Sequence, residues 1–275
     1  AKQFANISSG NLSKQYKIMA DINLTGANVN AIGSQGTPFS GFFNGNNHIL
    51  TGLNIFNATP RLGLIGYLAG TGRVSNLALI SANISGSQFV GAVVGENHGV
   101  VKNVSSINAT VLATSTKAGG LVGANHGTII NSYSDSNTTA TNGEAGGLTG
   151  STASSGIIRN SYAVGTAIST NGVTGGISGE VVSGATFENL FVSVNVTGSH
   201  ANDSAVGKFY GIKTGAFAST NNYIDTTASC SNIGAGNCHS IGGITTTPSV
   251  FQDNSLDPLS FWDFTDKISD GTEDI

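Results

Sequence analysis

The sequence predicts an all-β fold, a right-handed parallel β-helix (solenoid) of about 27–29 residues per coil with irregular caps. Three observations predict it. A glycine motif recurs at a near-constant interval, an asparagine marker keeps the same interval, and the composition suits strands and turns.

The glycine motif comes first. Leu62-Gly-Leu-Ile-Gly66, Gly91-Ala-Val-Val-Gly95, Gly119-Gly-Leu-Val-Gly123, Gly146-Gly-Leu-Thr-Gly150 and Gly175-Gly-Ile-Ser-Gly179 align, with closing glycines 29, 28, 27 and 29 residues apart. A looser copy, Gly207-Lys-Phe-Tyr-Gly211, follows 32 residues later. Asn76, Asn103, Asn131, Asn160, Asn189 and Asn222 form the second marker, at steps of 27, 28, 29, 29 and 33.

One unit shows how a coil is built. Leu121-Val122 lies between glycines, and Ala124-Asn-His-Gly127 reads as a polar turn. The run Thr128–Tyr133 reads as a strand, and a Ser/Thr/Asn/Asp stretch leads back to the next glycine pair. A single unit cannot bury its own apolar face, so it must stack on its neighbours. Seven or eight coils at about 4.8 Å each would make a rod of roughly 35–40 Å. Glycine suits a positive φ or a close backbone approach. Asparagine suits left-handed turns and can hydrogen-bond its stacked counterparts as a ladder.

Composition agrees. Charged residues are 9 % of the chain, against roughly 25 % in an average soluble domain. Glycine numbers 39 and proline 4, and scarce helix formers exclude helical repeat arrays. Propeller blades need about 40 residues each, and the leucine-rich frame is missing. The 11 Lys and Arg are scattered singly, which argues against nucleic-acid binding. No run of about 18 apolar residues occurs, so membrane insertion is not expected.

The ends depart from the repeat. Residues 1–60 read as an N-terminal cap and first coils, 61–225 as the repeats, and 226–275 as a C-terminal disulfide loop with an aromatic and acidic cap. Tyr16–Leu24 reads as an irregular first coil. Phe251, Phe261, Trp262 and Phe264 either pack over the last coil or form a binding surface, and seven of the fifteen acids follow residue 250. Cys230 and Cys238, with seven residues between them in a Ser/Asn/Gly loop, suit a small disulfide-closed loop. The alternative is two unrelated thiols. A bonded pair would point to an oxidising, extracellular setting. Ala1-Lys-Gln-Phe4 is no signal peptide, so either one was removed or the chain was cut from a longer protein.

The Gly119–Gly123 type units, the Asn131-Ser-Tyr133 and Asn160-Ser-Tyr162 triplets, and Ala163-Val-Gly165 resemble the GLUG-motif repeats of bacterial surface proteins. Asp21-Ile-Asn-Leu24 with Phe39–Ile49 looks like the module start in such proteins, and Phe261-Trp-Asp-Phe264 like its close. The resemblance implies a β-helical module of adhesins and of the non-catalytic part of some immunoglobulin A peptidases. It fixes no ligand and carries over no catalytic residue.

The sequence holds few candidates for chemistry. Glycoside hydrolysis needs two carboxyl groups about 5–9.5 Å apart. Glu180 and Glu188 could approach within one coil, but they read better as solvated turn residues. His98 and His126 occupy equivalent places 28 residues apart and should stack at the turn after the glycine motif. Two imidazoles could share a metal ion, but Ala153 stands at the next comparable turn and no third ligand is evident. A repeated turn residue is the simpler reading, with no metal and no cofactor. The zinc-peptidase motif H-E-x-x-H is absent. Ten Asn-x-Ser/Thr sequons, among them Asn57, Asn83, Asn103 and Asn195, matter only in a glycosylating host.

The expectation is a non-catalytic adhesion or recognition module, extracellular or on a bacterial cell surface. It would bind a glycan or protein on a target cell, as a piece of a larger protein whose oligomeric state is left open. A structural spacer rod and a β-helical carbohydrate-active enzyme are the alternatives.

Overall fold

The computed structural model describes Ile7, residues 11–201 and 205–233, Cys238 and residues 244–246. The protein is all-β, a parallel β-solenoid of about seven turns. Among the described residues the strands lie in one 15-stranded sheet and two six-stranded sheets, and every pairing is parallel and between neighbouring coils.

One coil shows the order of parts. Ala118–Gly119 belongs to one short sheet and Val122–Asn125 to the other, with a corner at Gly120-Leu121 between them. Thr128–Ile130 and Tyr133–Ala140 then join the large sheet. The polar turn is shorter than the sequence suggests, because Ala124 and Asn125 finish a strand and only His126-Gly127 bend.

Apolar columns run along the axis. Phe43, Val74, Val101, Ile129, Ile158 and Phe187 align coil on coil, and all are buried. The motif's central residue forms a second column at the corner, where Leu64, Val93, Leu121, Leu148, Ile177 and Phe209 are all fully buried. Each such side chain removes about 1.5–3 kcal/mol worth of apolar surface from water, so the corner is a packed edge of the core.

The motif glycines serve close approach. None has a left-handed φ. A Cβ on Gly123 would sit 2.5 Å from the backbone N of Val90 and 2.6 Å from the carbonyl O of Gly95. The two short sheets thus meet backbone to backbone, with no room for a side chain. The left-handed backbone falls instead to asparagine: Asn76, Asn103, Asn131, Asn160, Asn189 and Asn221 all have φ between 46° and 55°. Their amides form an outer ladder, with Asn103 donating to Asn76 at 3.1 Å, Asn160 to Asn131 at 3.2 Å and Asn189 to Asn160 at 2.9 Å.

The sixth rung is Asn221, not Asn222. Asn221 donates to Asn189 at 3.2 Å. Asn222 is buried, and its Oδ1 accepts from the backbone N of Leu190 at 2.9 Å. That repeats the role of Ser132 toward Val104 and of Ser161 toward Ser132. The longer last step in the sequence hid the shift by one residue.

At the N-terminal end, Gln15–Lys17 and Ile22–Asn23 pair in register with Phe42–Asn44 and Leu50–Thr51. At the other end a disulfide joins Cys230 and Cys238 across a Cα separation of 6.2 Å. Phe251, Phe261, Trp262 and Phe264 and the acidic tail lie outside the described residues.

Candidate functional site

The residues that could carry chemistry gather where the two short sheets meet, near the N-terminal end. Arg61 enters the first short sheet and aligns with Phe89. Tyr67, Glu96 and Ala124 align across the second. These two columns face each other, and ion pairs stitch them: Arg61 Nε bonds Glu96 Oε2, and Lys117 Nζ bonds Glu180 Oε2 at 2.7 Å. The partners come from different coils, so each pair ties layers together.

The two histidines lie just beyond the second short sheet. The His98 backbone N donates to the Leu68 carbonyl at 2.9 Å, and that of His126 to the Asn97 carbonyl at 2.7 Å. With both backbones pinned, the imidazoles stack at 4.5 Å between centroids and 5° between planes. Tyr67 extends the stack from below, 5.0 Å from His98.

Glu96 belongs to this cluster, and the sequence reading missed it. It precedes His98 by two residues, and the bend after the strand turns the imidazole back to the same side. Its Oε1 lies 2.8 Å from His98 Nε2 and 3.8 Å from His126 Nε2. The signal in the sequence was the i, i+2 spacing in Glu96-Asn-His98. Burial pushes the Glu96 carboxyl up, but hydrogen bonds from His98 and Arg61 outweigh it and hold the group below its ordinary value. Burial and the neighbouring His98 lower the pKa of His126.

A groove adjoins the cluster and shares Arg61 with it. Its volume is about 490 Å³, between the loop at Asn28–Gly36 and the segment Asn54–Leu62. Asn28, Asn30, Asn54 and Asn57 line it beside Phe56. Phe56 is 62 % exposed, unlike the buried Phe39 and Phe43 of the same coils. No sequence signal marked this groove, because the first two coils lack the glycine frame that aligns the others.

The acids singled out in the sequence take other roles. Glu180 and Glu188 are strand residues and not turn residues, held by Lys117 and by Arg159 at 2.7 Å.

No family model matches the chain. Over 73 residues, 26 % of this chain, it is 38 % identical to halomucin of Haloquadratum walsbyi. Over 100 residues, 33 % of this chain, it is 34 % identical to a "Putative Gly-rich membrane protein" of Evansella cellulosilytica. The matches span 1 % and 12 % of those proteins' lengths. Among solved structures, a "putative immunoglobulin A1 protease" from Bacteroides ovatus superposes with a TM-score of 0.70 at 21 % identity, covering 90 % of this chain and 82 % of that one. That likeness shows the fold.

Proposed function

We propose that the chain is a recognition module of the GLUG-repeat type, part of a secreted or cell-surface protein, and that it binds glycans in the groove beside Phe56. The observation that carries this reading is the exposed aromatic ring set among asparagine amides. A sugar presents an apolar ring face and a rim of hydroxyls. Stacking on an aromatic and hydrogen bonds to side-chain amides answer both needs. Two features support an extracellular setting: the disulfide, and the partial match to a protein named as a membrane protein. The non-catalytic reading draws support from the acids Glu96, Glu180 and Glu188, each engaged by a cation.

The test is a glycan array probed with the oxidised protein, the Phe56→Ala variant and a chain truncated after residue 246. Selective binding lost in Phe56→Ala supports the groove. Binding lost only on truncation would move recognition to Phe261, Trp262 and Phe264. A blank array would overturn glycan recognition and favour the spacer rod. The spacer reading has its own support: the chain matches only short stretches of much longer proteins.

A further inference from the structure

We propose that Glu96, His98 and His126 form a binding site for a divalent transition-metal cation of the zinc class, separate from the glycan groove. Two imidazole nitrogens and one carboxylate oxygen are a donor set that zinc, cobalt and nickel ions accept. The three ligand atoms lie within 4.8 Å of one another. A zinc ion holds such ligands at about 2.0–2.2 Å, which places them about 3.3 Å apart. Glu96 Oε1 brackets that spacing already, at 2.8 Å from one Nε2 and 3.8 Å from the other. Closing the cluster on an ion takes small side-chain rotations on backbones that the neighbouring coil fixes. The two parallel rings must fan slightly so that their nitrogens converge.

The surroundings suit a cation. Arg61 holds Glu96 Oε2 and so orients the carboxylate with Oε1 toward the histidines, as an outer-shell partner does in many metal sites. The histidine side chains are 32 % and 38 % exposed while Glu96 is 10 % exposed. An ion can enter from solvent, and water can complete its coordination. Arg61 and Lys117 add positive charge nearby, but Glu96 and Glu180 pair with them. The charge balance points to moderate affinity.

The site is confined to two coils. Ala124 and Ser151 replace Glu96 in the next two layers, and Ala153 stands at the turn where the histidines end. One ion per chain is therefore expected. A histidine repeated for its turn alone would explain the stack of rings but not the carboxylate set against both nitrogens.

The experiment titrates the EDTA-treated full chain with Zn²⁺ by calorimetry and with Co²⁺ by absorption spectroscopy. His126→Ala, Glu96→Gln and His48→Ala are run alongside, and circular dichroism checks their folding. The expected result is one saturable Zn²⁺ per chain, weakened about tenfold or more in His126→Ala and Glu96→Gln. His48→Ala should bind as the unaltered protein does. If His126→Ala fails to fold, His126→Asn, which keeps a polar group at the turn, replaces it. No saturable binding of either metal, or binding unchanged in both cluster variants, would overturn the proposal. Neither result depends on whether the groove binds glycans.

Discussion

The side-chain amide of Asn97 donates to Oδ1 of Asn125 in the next coil at 2.8 Å, and both residues are wholly buried. Asn97 Oδ1 in turn accepts from the backbone N of Gly99 at 3.0 Å. This inner rung closes the turn that carries the histidines. Asn125→Ala removes the acceptor and leaves the buried Asn97 amide only the Thr128 carbonyl at 3.5 Å, which costs about 1–2 kcal/mol. Urea denaturation should show that loss, and the circular dichroism spectrum of the folded variant should be unchanged.

Gly123→Ala tests the contact between the short sheets. The added carbon would meet Val90 N and Gly95 O, both backbone atoms that cannot swing away. Overpacking of this kind costs about 1–3 kcal/mol, and the rigid neighbours place the expected value near the upper end. Thermal unfolding of Gly123→Ala beside Gly36→Ala should separate the two. Gly36 has nothing within 4 Å of such a carbon, so its melting temperature should barely move.

Asp225 predicts how the C-terminal coils respond to acid. Burial pushes its carboxyl up, but bonds from Ser193 at 2.6 Å and from Thr227 at 2.7 and 2.8 Å win and hold it below its ordinary value of 3.8. The folded state therefore binds this proton less readily than the unfolded one. Its stabilising contribution is full above 3.8 and is lost as pH falls through the folded value. Melting curves should show the protein losing stability toward acid more steeply than Asp225→Asn, with the gap between them widest near neutrality.

Tyr133 and Tyr162 stack at 4.5 Å between centroids and 5° between planes. Burial, and for Tyr162 its neighbour Tyr133, raise both phenols above the ordinary value of 10.0. An alkaline titration followed by phenolate absorbance should show both ionising later than a free tyrosine, Tyr162 the later of the two. Tyr162, the more strongly held of the pair, should ionise only with unfolding. Tyr162→Phe should leave the early part of the curve unchanged.

The repeat was legible because glycine spacing and asparagine spacing report the same physical period. Stacked coils force identical needs at identical places. The corner residues Leu121 and Leu148 and the ladder from Asn76 to Asn189 could be read that way. The pairing of Cys230 with Cys238 was suggested by their isolation in one short loop, against the alternative of two unrelated thiols, and the structure joins them. The pairs that shape the candidate site could not be read so. Arg61 and Glu96 are 35 residues apart, one coil plus the width of a corner, and no local pattern has that spacing. Asn222 was misplaced by one because a longer last step conceals which asparagine keeps the left-handed turn. The groove at Phe56 arises from loops that do not repeat, so periodicity carried no information about it.

The parallel pairing sets how this rod would carry load. Its interstrand hydrogen bonds run along the long axis, and the first and last strands lie at opposite ends. A pull between the ends therefore opens bonds in series, like a zipper, and not side by side in shear. The weakest terminal layer yields first and the others hold. Each released coil of about 28 residues pays out about 95 Å of chain, at roughly 3.4 Å per residue. Tethered between two bodies, the molecule would lengthen in steps and dissipate force before its middle layers part.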